Sequence, residues 1–255
     1  MTGAVPQQRF SLLGAEHWPE LTIELLSDPQ PGPWDLTHAV PGGVVSYDRV
    51  TRRARVPAAA GATLEDLVHP HIMIAAYLAA ASRDEEAIHA AACAHGGGAW
   101  VLLGAHEQGK STLLAMLSRL GCQPLTDDMV VIRDGVVCTG ARCVDLRPPA
   151  ARQLGVSAPA RFSTRNRIEL PPVAAEHPLR GFIHLTWAQP LALVALRPRD
   201  RLARLVAQLG HVRRRDRARL LELTAVPHWE LRRPPDWEGA ERSAELVREL
   251  MEDQR

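Results

Sequence analysis

Residues 101–112, VLLGAHEQGKST, limit what this chain can fold into more than any other stretch. An apolar run, 100–103, leads into Gly104, four variable residues, then Gly109, Lys110, Ser111 and Thr112. The pattern G-x-x-x-x-G-K-[ST] works only between a buried strand and a helix. Glycines let several backbone N–H groups converge on one anion. The helix expected from Lys110–Ser111 to Leu120 aims its positive N-terminus at the same point. Gly104, Ala105, His106, Glu107, Gln108, Gly109, Lys110, Ser111 and Thr112 are therefore expected to wrap the phosphates of a nucleotide, ATP. Lys110 would reach the β and γ phosphates, and the Ser111 hydroxyl would ligate Mg²⁺.

Of the 30 lysine and arginine residues, only one is a lysine, Lys110. Elsewhere the chain uses arginine for every cation. At this position it keeps a compact ammonium, which the planar guanidinium fork does not replace as a point charge between phosphates.

The totals narrow the class further. A length of 255 residues with 46% hydrophobic residues suits one large α/β domain. A net charge of +1 gives no electrostatic case for nucleic acid. The four cysteines, Cys93, Cys122, Cys138 and Cys143, include no C-x-x-C pair and read as free thiols in a reducing, cytoplasmic compartment. The opening MTGAVPQQRF lacks signal-peptide regions. The longest apolar stretch, 87–103, is interrupted by His89, His95 and three glycines, so no membrane span is expected.

Along the chain, 10–26 (FSLLGA, LTIELL) and a hairpin built from 42–47 and 53–56 predict a β-rich N-terminal layer, 1–60. Thr63, with Asp66 three residues on, predicts a capped helix through the apolar run 72–81. The Ala-rich 88–94 follows, then the loop strand, and a helix stopped by Gly121. Short strands are expected at 123–126, 129–132, 136–139, 143–146, 181–187, 191–196 and 226–231, with Asp134–Gly135 as a hairpin turn. A helix is expected at 200–209, and 213–219 reads as a solvated charged face. Asp236 would cap a terminal amphipathic helix, 236–252, with Trp237, Ala240, Ala244, Val247 and Met251 on one face. The absence of repeats and low-complexity linkers favours a single domain, 1–255, with its nucleotide-binding core in 85–200.

A second constellation narrows the chemistry. The helix after the loop carries the chain away by about 16 Å, and the strand after Gly121 brings it back by roughly 16 Å. Asp127 and Asp128 thus return to the level of the phosphates, expected on opposite faces of a strand. One carboxylate can accept a hydroxyl proton while the other supports Mg²⁺. Asp127 is assigned the base and Asp128 the metal side.

These residues resemble a family. Ile88-His89-Ala90, the loop with Lys110–Ser111–Thr112, and 121–130 (GCQPLTDDMV) look like the C-terminal kinase domain of HPr kinase/phosphorylase, and most like its short relatives that act on lasso-type precursor peptides. The resemblance implies an α/β, phosphoenolpyruvate-carboxykinase-like P-loop fold with a mixed sheet. It implies an ATP- and Mg²⁺-dependent kinase, with His89, Lys110, Asp127 and Asp128 as catalytic residues and a serine of a peptide or small protein as acceptor. Arg147, in a segment that supplies an arginine in the family, and Arg167 are expected to stabilise transferred charge; Asp145 and Glu169 are candidates for a further metal ligand. The chain departs from the family at Glu107, where glycine is frequent. A nucleotide-binding regulatory protein and a small-molecule alcohol kinase are the alternatives, and the terminal helix leaves a homo-oligomer open.

Overall fold

The computed structural model describes residues 8–10, 21–27, 36–63, 65–83, 85–158, 164–208 and 217–254. The first five strands are β1 (Gln8–Phe10), β2 (Leu21–Leu26), β3 (Leu36–Val40), β4 (Gly43–Asp48) and β5 (Arg53–Pro57). They form one sheet in the order β1-β2-β5-β4-β3. Hairpins join β3 to β4 and β4 to β5, while β2 and β5 run parallel. The β4–β5 turn is tied by Asp48, whose carboxylate accepts from the Val50 and Thr51 amides. Of the expected FSLLGA strand only Phe10 is described; 11–15 lie outside the described residues.

This sheet buries Ile23, Leu25, Val45, Tyr47, Ala54 and Val56 against α1 (Met73–Ser82), through Ile72, Ala75, Leu78 and Ala79. Thr63 and Asp66 exchange hydrogen bonds as a capping box requires, the Thr63 amide to Asp66 at 2.9 Å and the Asp66 amide to Thr63 Oγ1 at 3.3 Å. The regular helix nevertheless starts only at Met73. His69 takes extended backbone (φ −112°, ψ 126°) inside the first turns and breaks the ladder. The break sends the His69 ring to Asp128, in the next layer.

The second sheet has nine strands. Six precede residue 140: β6 (Glu86–Ile88), β7 (Ala91–His95), β8 (Gly98–Leu103), β9 (Gln123–Thr126), β10 (Val130–Arg133) and β11 (Val136–Cys138). A separate ribbon pairs β12 (Cys143–Leu146) with β13 (Asn166–Glu169). The main sheet is completed by β14 (Glu176–Trp187), β15 (Ala192–Ala195) and β16 (His228–Arg233). Its path is β6-β10-β11-β14-β8-β7-β9, with β16 beside β14 and β15 beside β16. β8, β14 and β16 are mutually parallel and end on one edge at Leu103, Trp187 and Arg233. The remaining pairs in this sheet are antiparallel, so it is mixed, and the fold is α/β.

Both faces of β8 are buried, which is why 98–103 reads as a continuous apolar run. Trp100 and Leu102 face α2 (Lys110–Arg119) and α6 (Trp237–Asp253), with Leu113, Leu117, Val247 and Met251. Val101 and Leu103 face the opposite layer, with Phe182, Leu205 of α4 (Pro198–Val206) and Leu223 of α5 (Arg217–Ala225). A further short helix, α3 (Pro148–Gln153), starts on the two prolines after Arg147. In α6, Asp236 accepts from the Gly239 amide at 2.6 Å, and Ala240, Ala244, Val247 and Met251 are buried as the sequence predicts. Of the charged stretch 213–219, only 217–219 fall within the described residues. Among the described residues no helix is long and apolar enough to cross a membrane.

Candidate phosphotransfer site

The loop between β8 and α2 takes the conformation its glycines permit. Gly109 sits at φ 72°, and Glu107 at φ 66°, a left-handed position that favours glycine. At Gly104 a Cβ would lie 2.8 Å from Gln108 Oε1, so a side chain there would displace the group that accepts from the Ala105 amide at 2.7 Å. The Lys110 side chain curls over the loop, Nζ donating to the Gly104 and Ala105 carbonyls at 2.7 and 3.1 Å. Burial lowers the Lys110 pKa from its ordinary value, with Asp128 and Asp127 opposing the shift.

A cavity of about 270 Å³ opens in front of this loop. Lys110, Ser111 and Thr112 line it with Asp127 and Asp128, and His89, Arg147 and Arg165 complete its walls. The four residues expected to be catalytic, His89, Lys110, Asp127 and Asp128, thus border one space. The arrangement of the two aspartates differs from expectation. They lie in the bend between β9 and β10, not on a strand, and Asp128 takes φ 75°. The left-handed turn replaces strand alternation as the reason the two carboxylates diverge.

Asp127 is 2% exposed and accepts from Ser111 Oγ at 2.9 Å through Oδ1. Its Oδ2 is buried with no hydrogen-bond partner. Burial pushes the Asp127 carboxyl up to about 6; Asp128 adds to the rise, while His69, Ser111 and Arg165 oppose it. Asp128 lies between two histidines, with His69 Nδ1 at 3.3 Å and His89 Nδ1 at 3.1 Å. Burial would raise Asp128 too, but the His69 hydrogen bond and the charges of His69, His89 and Arg165 outweigh it and hold it at about 2. Burial lowers His89, against the pull of Asp128. At His69 burial is outweighed by Asp128, Asp127 and Asp145, and the ring is raised. The hydroxyl expected to share a cation with Asp128 is therefore bonded to Asp127 instead.

The later candidates separate. Arg167 grips Asp145 in a two-point ion pair, Nε–Oδ1 and Nη2–Oδ2 both 2.7 Å, and this raises the Arg167 pKa. Arg167 is thus committed to Asp145, and both Asp145 oxygens are occupied. Glu169 is on β13, exposed, and outside the cavity lining. Arg147 does reach the cavity mouth: Nη1 lies 2.6 Å from Glu107 Oε1, and Nη2 lies 3.0 Å from His106 Nε2. Glu107 is exposed, lines the cavity and is paired with this arginine.

Sequence reasoning missed three side chains. His69 comes from the N-terminal layer, and nothing near it in the sequence marks it. Arg165, whose charge acts on both aspartates, is hidden among many arginines. Arg233 ends β16 beneath the loop and donates to the Gln108 carbonyl, a contact across 125 residues that only the strand order reveals. All four cysteines are buried and free.

No family model matches the sequence, and no curated protein matches it. Among solved structures, the chain is similar to an HPr(Ser) kinase/phosphatase from Coxiella burnetii, with 14% identity and a TM-score of 0.41 over 66% of this chain and 92% of that one. At that level the likeness is one of outline, and the residues of the cavity are what bear on function.

Proposed function

We propose that this chain is one kinase domain of phosphoenolpyruvate-carboxykinase-like type that transfers the γ-phosphate of ATP to a hydroxyl group. The observation that carries the reading is the junction of loop and return strand. Lys110, the α2 N-terminus, the Ser111 hydroxyl and two aspartates border one cavity, with Ser111 and Asp127 in direct contact at 2.9 Å. A loop alone binds phosphate; a loop facing paired carboxylates can also handle a metal and a proton.

The donor set suits Mg²⁺. Ser111 spends its hydrogen on Asp127 and keeps its lone pairs, and the buried Asp127 Oδ2 lacks a partner. Hard oxygen donors of this kind, one or two carboxylates plus phosphate oxygens, are what Mg²⁺ takes. Bound there, Mg²⁺ would offset charge on the transferred phosphoryl group. Ser111 and Asp127 then form the cation side. Asp128, ionised and steadied by His69 and His89, faces the acceptor and takes its proton as the oxygen bonds to the γ-phosphorus and ADP leaves. Lys110 and the loop amides hold the phosphates, and Arg147 waits at the mouth.

The sequence resemblance supports a peptidyl serine as acceptor, such as one in a lasso-type precursor peptide. The decisive experiment is transfer of label from γ-labelled ATP with Mg²⁺ to serine-containing peptides and to small alcohols, in parent and Lys110→Met proteins. Peptide labelling that Lys110→Met abolishes is expected. Labelling of small alcohols only moves the acceptor class; ATP binding without transfer to any acceptor favours a regulatory nucleotide-binding protein.

A further inference from the structure

Arg233 is 1% exposed and sits directly under the phosphate loop. A Cβ on Gly109 would come within 2.5 Å of its Nη2. The Trp187 ring covers the other side, 4.6 Å from Cζ to the ring centroid. Beyond the bond to the Gln108 carbonyl, Nε and Nη1 are buried without a hydrogen-bond partner. Elsewhere buried carboxylates have cationic partners: Asp145 is matched by Arg167, and Glu230 by Arg204 and Arg232. Arg233 has no carboxylate partner among the described residues. An unmatched buried charge is strongly unfavourable for a fold. Burial lowers the guanidinium to about 10, so it is still charged at neutral pH.

We propose that Arg233 is a second cationic element of the nucleotide site, placed behind the loop as Lys110 is placed in front, and that its charge is matched by the polyphosphate of a nucleotide seated on the Gln108–Gly109 backbone. This rests on the nucleotide-binding reading above. In a water-excluded setting a charge acts through a thin layer of backbone with little screening. Trp187 keeps solvent off the guanidinium. Arg233 is a positioning residue: it meets the ligand through the loop. The attraction scales with ligand charge, so ATP gains most, then ADP, then AMP.

The test compares Arg233→Met and Arg233→Lys with the parent, by calorimetric Kd for ATP, ADP and AMP and by the melting temperature of the ligand-free protein. Arg233→Met should weaken ATP binding on the order of tenfold, ADP less and AMP least, while the ligand-free protein melts no lower than the parent. Arg233→Lys should keep ATP affinity within about threefold. A purely structural tie would lower the melting temperature and weaken all three nucleotides alike. That pattern, an Arg233→Met protein that fails to fold, or an Arg233→Lys protein as weak as Arg233→Met, overturns the proposal. ATP binding equal in parent and Arg233→Met overturns it alone; a parent that binds no nucleotide overturns it together with the kinase reading.

Discussion

Arg147 Nη1 and Glu107 Oε1 lie 2.6 Å apart across the mouth of the cavity, one on the loop and one at the start of α3. The pair is half-exposed, so its own stabilisation is small, about 0–1 kcal/mol. Its effect is on what meets the phosphates: Glu107 brings a negative charge to the loop and occupies the nearest arginine. Glu107→Gly removes that charge, frees Arg147 and relieves a left-handed backbone worth about 1–2 kcal/mol. ATP affinity should rise several-fold, read by calorimetric titration. Unchanged or weaker binding would show that the pair helps hold the nucleotide.

The two aspartates should fail differently. Asp127→Asn removes the charge beside Ser111 and should raise the Mg²⁺ concentration needed for half-maximal transfer at least tenfold. Asp128→Asn should leave nucleotide and Mg²⁺ dependence near the parent and cut kcat by about 10²–10⁴, the range for loss of a positioned proton acceptor. Magnesium titrations of initial rate settle the matter; the opposite pattern returns the base to Asp127, the assignment the sequence suggested.

His69 gives a test of how the layers cooperate. Its Nδ1 contact at 3.3 Å is the N-terminal layer's hold on Asp128. His69→Ala should lower kcat with little change in ATP Kd, because the ring touches an aspartate and not the loop. A variant with parental kcat would reduce His69 to a packing residue.

A pH effect is expected far from the cavity. His184 Nε2 and His228 Nδ1 are 2.9 Å apart in the sheet interior, and His228 Nε2 donates to the Leu223 carbonyl at 3.1 Å. Burial lowers both rings, to about 3 and about 4. Both folded-state values lie below the unfolded value near 6.5, so acid favours the unfolded chain. Their effect is nil above pH 6.5, and stability falls as pH drops from there toward 4, by up to about 1.4 kcal/mol per unit for each ring. His184→Gln should flatten the dependence of melting temperature on pH between 6.5 and 4; an unaltered slope would count against the pair.

The site was legible where one chain segment encodes both the geometry and the chemistry. The loop, Lys110, Ser111 and the return of Asp127–Asp128 all depend on distances measured along the sequence, through a helix and strand of matched length. The strand assignment for the aspartates failed because local left-handed backbone at Asp128 overrides alternation. Arg167 was misjudged because composition cannot tell which arginine a buried Asp145 will claim. His69 and Arg233 were invisible for a stronger reason: each enters the site through the packing of distant elements, and no spacing rule links residue 69 to 128 or 233 to 108. In the fold, the terminal helix followed from periodicity and the loop strand from its continuous apolar run, whereas the Ala-rich 88–94 became two strands around His89, where sheet pairing overrides alanine's helix preference.

The parallel edge formed by β8, β14 and β16 sets an order in time. During synthesis the phosphate loop leaves the ribosome more than a hundred residues before Arg233, its support from β16. On the proposed role of Arg233, nucleotide capture at full strength waits for β16, and nascent chains that stop short of it would carry an intact loop sequence without the charge beneath it.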